Sequence, residues 1–202
     1  MHISEGILSA PVLIAGGLVA VGGTTIGLKR LDYDQLPKAG ILAAAFLVAS
    51  LIHIPIGIVS IHLVLNSLCG LMLGWGAFPV ILVALVLQAI FFQFGGLTTL
   101  GVNVTIMALP AILVFFLFKP FLRQDRDTLI VVPFLAGFCA ILFSVLVMAV
   151  FLFLSSEEFL EIAGIIAVAN IPTMVIEGVV TLSCVHFLKK VYPALLFSNG
   201  KG

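Results

Sequence analysis

Met1 and His2 carry nitrogens that can close on a single metal ion. A free amine on Met1, the backbone nitrogen of His2 and an imidazole nitrogen of His2 complete fused five- and six-membered chelate rings. Such a set suits square-planar Ni(II) or Cu(II), because imidazole and tetragonal nitrogen ligation fit those ions. Three donors leave one planar position open, and a further histidine is the natural fourth. The chain has 4 histidines. His53 and His62 lie close together, separated by a stretch that includes Pro55 and Gly57, while His186 stands near Lys189 and Lys190. The competing reading is plain: second-position residues are usually interfacial, and His53 is equally a hydrogen-bonded interior histidine.

A second group lies near the other end of the chain. Asn170, Thr173, Glu177, Thr181 and Cys184 recur at the spacing of one helix face. A carboxyl in an apolar segment is costly unless paired, hydrogen-bonded or protonated, so Glu177 is expected to face the bundle interior. It can orient a ligand histidine, relay a proton, or serve only as an interhelical hydrogen bond. Pro172 is expected to kink the same segment. Gln93 and Asn103 flank a glycine-containing stretch, Gly95-Gly96-Leu97-Thr98-Thr99-Leu100-Gly101, and are candidates to hold a binding loop by hydrogen bonds. Cys69, Cys139 and Cys184 sit in apolar runs without CxxC spacing and read as buried, inert thiols.

The elements that must position these residues follow from composition. Of 202 residues, 62% are hydrophobic and 9% charged, with a mean hydropathy of +1.35. A soluble core needs no such apolar excess, so the class is an all-α membrane protein, one transmembrane domain over 1–202. Seven apolar segments are expected at roughly 7–28, 38–53, 60–75, 77–93, 102–118, 129–154 and 161–188. Several are shorter than the ~20 residues of a perpendicular span, which points to irregular backbone at depth around 53–57 and 95–101. Small-residue spacings at Gly23 and Gly27, Ala39 and Ala43, and Gly70 and Gly74 permit close helix approach.

Charge placement orients the bundle. Lys29, Arg30 and Lys38 are assigned to one inter-helix loop, Lys119, Arg123 and Arg126 to a second, and Lys189, Lys190 and Lys201 to the C-terminal tail. The positive-inside bias then places the N-terminus outside and the C-terminus in the cytoplasm. His2, His53 and His62 fall on the outer side and His186 on the inner, which excludes it as a ligand. Positive charge follows the first apolar run rather than preceding it, so that run is expected to be a retained helix, not a signal peptide. The outer loop Ser155–Glu161 is acidic and would attract cations modestly. Net charge is zero and says nothing about partners. No nucleic-acid partner is expected, and no phosphate-cradling glycine loop is present to serve an ATPase.

Four motifs now stand in order: Met-His-Ile-x-Glu-Gly at the start, His53-Ile-Pro-Ile-Gly-x-x-x-x-His62-Leu, Gly95-Gly-Leu-x-x-Leu-Gly-x-Asn103, and Ile-Glu177-Gly. Together they resemble the CbiM/NikM family over nearly the whole chain. Those proteins are substrate-binding S components of energy-coupling-factor importers for cobalt and nickel. The resemblance implies a seven-transmembrane-helix bundle with its N-terminus outside. It implies Ni(II) or Co(II) as the transported substrate, held by Met1, His2 and His62, with His53, Gln93, Asn103, Asn170 and Glu177 as possible additional or supporting groups. No organic cofactor is implied. The expected partners are a transmembrane coupling protein, a pair of cytoplasmic ATPases that hydrolyse ATP, membrane lipid and, in some systems, a small accessory membrane subunit. The expected location is a prokaryotic cell membrane, and the chain itself is no enzyme. Departures fall at Ile106, where many members carry a second Asn, at Asn170, where some carry His, and in the Gly-Ile-Val-Ser-Ile stretch before His62. A different reading is an S component for a small vitamin, which would need an aromatic- and polar-lined pocket instead of a histidine cluster.

Overall fold

A computed structural model describes the backbone of all residues except 1, 57–58, 124–127 and 198–202, and excludes the side chains at 53–62, 123, 128–129, 160, 194 and 197. The chain is almost entirely helical. Helix α1 spans Ala10–Arg30 and α2 spans Leu36–Leu51, each with a proline in its first turn, where no backbone donor is needed. An antiparallel hairpin follows: β1, His53–Ile56, pairs with β2, Val59–His62, in the register His53 to His62. Then come α3 (Asn66–Leu73), α4 (Ala77–Phe92), α5 (Leu100–Phe118), α6 (Thr128–Ser155), α7 (Phe159–Ala169), α8 (Ile171–Val191) and the short α9 (Ala194–Phe197).

Among the described residues, six helical stretches are long and apolar enough to cross a bilayer: Ala10–Arg30, Tyr33–Leu51, Asn66–Phe92, Leu100–Leu122, Ile130–Ser155 and Ile171–Val191. Their flanks expose Ile14, Leu18, Phe116 and Leu154, a surface suited to acyl chains and not to water. The chain is a multi-pass membrane protein.

Two of the seven expected segments differ from the structure. The segment at 60–75 is a strand followed by the 8-residue α3, which at 1.5 Å per residue covers only ~12 Å. This half-helix runs parallel to α5 in a constant register. Asn66 Nδ2 donates to Met107 O at 3.3 Å, Gly70 lies against Ala111 O, and Gly74 lies against the Phe115 ring. At Gly74, with φ +54, the chain turns through Trp75 and Gly76 and starts back as α4. Phe78 and Pro79 then meet Gly23 and Gly27 of α1, while Gln88 reaches the opposite end of the bundle. The small-residue pairs at 23/27 and 70/74 thus serve internal packing. The segment at 161–188 is likewise divided: regular helix is interrupted at Asn170, and Pro172 sits in the first turn of α8.

Polar residues sort to two ends. At one end lie His2, the start of α5 and the end of α6, where Ser9 N–H donates to Ser155 Oγ at 3.1 Å. At the other, Arg30 lies 5.5 Å from the Trp75 ring centroid and Lys119 4.7 Å from that of Phe115. Lys38, expected in a loop, is instead buried in the first turn of α2. Its Nζ donates to Met72 O at 2.8 Å and to Leu195 O at 3.3 Å, so it ties carbonyls near the ends of α3 and α9 together.

Candidate metal centre

The segment before α1 enters the bundle as irregular chain with a turn at Glu5 and Gly6, anchored by the buried side chains of Ile3 and Leu8. Irregular chain at depth leaves backbone groups that need partners. Asn103, in the first turn of α5, supplies both for one residue: Ile3 N–H donates to its Oδ1 at 2.9 Å, and its Nδ2 donates to Ile3 O at 3.1 Å. The same Nδ2 lies 3.2 Å from Thr99 Oγ1. Glu5 accepts from Thr98 N–H at 3.1 Å. The expected role of Asn103 in holding a loop is visible in these contacts, with the N-terminal segment as the part held.

The loop between α4 and α5 closes against that segment because it carries glycines where it must. Gly95 and Gly96 adopt φ +78 and +148. A Cβ on Gly95 would stand 2.8 Å from Asn103 Nδ2 and 3.5 Å from His2 Cδ2, and one on Gly96 would strike the Glu5 side chain. Gln93, expected to hydrogen-bond this loop through its side chain, has an exposed side chain. Its left-handed backbone, φ +56, ends α4 with its N–H on Gln88 O.

His2 is half-buried, its ring 6.1 Å from that of Phe94. Its Nε2 lies 2.8 Å from Gln88 Oε1. Gln88 is wholly buried in α4, and its Nε2 donates to Ser50 Oγ at 2.8 Å. Ser50 in turn donates to Leu47 O at 2.7 Å. Neither Gln88 nor Ser50 was singled out from sequence. The available signal was a lone amide inside the apolar run Ala77–Phe92, costly in a bilayer unless something needs it.

The hairpin carries two further histidines, His53 and His62. Its first residue, His53, lies three positions after Ser50, and the backbones of His53 and His62 are partners at its open end. The side chains of His53 and His62, and all of Met1, lie outside the described residues. Beyond His62 the chain turns into α3 through Leu65, φ +56. Glu177, wholly buried in α8, accepts from Val64 N–H and from Leu65 N–H, the latter at 3.1 Å. Of the roles open to Glu177, this contact supports an interior hydrogen-bond anchor. It holds the backbone two residues after His62. One turn further along α8, Thr181 Oγ1 lies 2.7 Å from Ser67 Oγ. Asn170 Nδ2 donates to Ile166 O at 2.8 Å, one turn back along the chain.

Comparison with known proteins agrees with this architecture. A family model described as the cobalt uptake substrate-specific transmembrane region, CbiM, matches residues 2–195. A Haemophilus influenzae protein named for metal transport is 39% identical over 97% of this chain and 97% of its own length. The cobalt transport protein CbiM of Sorangium cellulosum is 29% identical over 97% of this chain and 94% of its own. A crystal structure of a transition metal transporter superposes with a TM-score of 0.79 at 25% identity, covering 95% of this chain and 93% of that one. The chain belongs to the CbiM family, the substrate-specific membrane components of cobalt and nickel transport.

Proposed function

We propose that this chain is the metal-capturing subunit of an energy-coupling-factor importer, taking Ni(II) or Co(II) from outside the cell. The amine of Met1, the backbone and ring nitrogens of His2 and the ring of His62 hold the ion in a near-planar set. The observation that carries this reading is the anchoring of His2: its imidazole is braced by a buried amide at the bundle end where the hairpin begins and ends. The described basic residues at the opposite end support an orientation with His2 outside. Relatives named for cobalt transport and for nickel transport support the choice of ions, since a nitrogen set accepts both.

The chain supplies binding and not energy. A separate coupling protein and an ATPase pair would deform the site and release the ion inward. Ligation by the His2 backbone nitrogen displaces a proton, so affinity falls as pH drops. The test is calorimetric titration of the purified protein with nickel and with cobalt. Wild type is expected to bind one equivalent tightly, and His2→Ala, His62→Ala or a residue added before Met1 to abolish that binding. Undiminished nickel binding by the extended protein would overturn the site. Saturable binding of a small vitamin, with no metal bound, would replace the reading by the other importer class.

A further inference from the structure

The contacts behind His2 form a directed chain whose polarity can be worked out from its far end. Leu47 O is a carbonyl and can only accept, so the Ser50 hydroxyl proton, 2.7 Å away, points at it. Ser50 Oγ then has only lone pairs left for Gln88, which must present its NH2 group at 2.8 Å. That turns the Gln88 carbonyl oxygen to His2, 2.8 Å from Nε2, and a carbonyl cannot donate. The proton between them therefore belongs to His2 Nε2, which in the neutral ring leaves the lone pair on Nδ1.

We infer that Gln88, backed by Ser50, is a positioning residue that holds His2 as the Nε2–H tautomer with Nδ1 turned to the metal. This rests on the metal reading above, and it matters for a geometric reason. Only Nδ1 closes a six-membered ring with the His2 backbone nitrogen; Nε2 lies on the far side of the imidazole. The bond to Gln88 thus selects the chelating nitrogen and fixes the ring plane before any ion arrives. A partner that orients a ligand histidine typically contributes 10–100-fold to metal affinity. Burial sharpens the selection, because Gln88 has no water to bond in place of its two partners.

The test combines two readouts on one set of variants. Ring 15N shifts of His2 in the metal-free protein report which nitrogen is protonated; nickel titration reports affinity. Wild type is expected to carry the proton on Nε2. Gln88→Leu is expected to give a mixture of tautomers and to bind nickel ~10–100-fold more weakly while remaining folded. Gln88→Glu keeps an acceptor oxygen and is expected to restore the Nε2–H form and most of the affinity. A wild-type proton on Nδ1, or a folded Gln88→Leu protein unchanged in either readout, overturns the inference. Should wild type show the Nε2–H form yet bind no nickel or cobalt, the metal reading fails while the tautomer assignment stands.

Discussion

Two stretches of irregular backbone enter this bundle from the same end, and one side chain from a long helix holds each. The N-terminal segment is held by Asn103, which exchanges a donor and an acceptor with a single residue, Ile3. The turn after the hairpin is held by Glu177, which only accepts, from two successive N–H groups at Val64 and Leu65. The backbone explains the difference. Chain outside regular structure leaves both the N–H and the C=O of Ile3 in need of partners, and an amide side chain matches both. Chain about to start a helix leaves donors without acceptors, and a carboxylate suits them, helped by the positive end of the α3 dipole. The choice of Asn or Glu thus follows from what the backbone has left over.

Disturbing the carboxylate should have the larger effect. Glu177→Leu strands two buried N–H groups and is expected to cost about 3 kcal/mol of stability, read by reversible unfolding of the metal-free protein in mixed micelles. Glu177→Gln keeps one acceptor oxygen and is expected to lose about half as much. A Glu177→Leu protein as stable as wild type would refute the anchoring role. At the other stretch the preference reverses. Asn103→Asp retains the acceptor for Ile3 N–H but turns an oxygen on Ile3 O. It is expected to weaken the N-terminal segment by about 2 kcal/mol, because a carboxylate cannot donate to Ile3 O. Because that segment can open without the bundle, the measurement is amide exchange at Ile3 rather than global unfolding.

How much of this was readable in advance differs between the same two regions. Glu177 stands out because a polar side chain in an apolar helix has few places to go, and Asn103 because it flanks a glycine stretch. Their partners do not, since the groups they hold are backbone and carry no letter. The second strand and the half-helix read as one crossing over 60–75, because an apolar run of that length fits a helix as well as a strand plus a short helix. Gly74 contains the signal for the reversal, but a glycine turn and a glycine packed between helices look alike in sequence. Asn170, placed by spacing beside Glu177, spends its amide on Ile166 O one turn earlier, a backbone partner that spacing does not reveal. Gln88 was hidden in plain view by the richer motif seven positions later.

Smaller changes sharpen the contrast. Gly96→Ala places a methyl group against Glu5 at a backbone angle alanine disfavours, and is expected to loosen the N-terminal segment by about 1 kcal/mol while leaving the Glu177 region untouched. Exchange at Ile3 should rise and exchange at Leu65 should not; a rise at both would mean that the two stretches open as one unit.

The smallest expected effect lies on the same helix as the largest. Ser183 is exposed on α8, and its hydroxyl donates to Val179 O at 2.8 Å. That carbonyl already belongs to the helix ladder, so the hydroxyl satisfies only itself. Ser183→Ala removes donor and need together and is expected to change stability by less than ~0.5 kcal/mol in the same unfolding measurement. Glu177, under two turns away, differs in burial and in what depends on it: Val64 and Leu65 N–H have no helix carbonyl behind them. If Ser183→Ala cost as much as Glu177→Gln, depth alone would set the value of a polar group on α8, and the argument from leftover backbone donors would lose its footing.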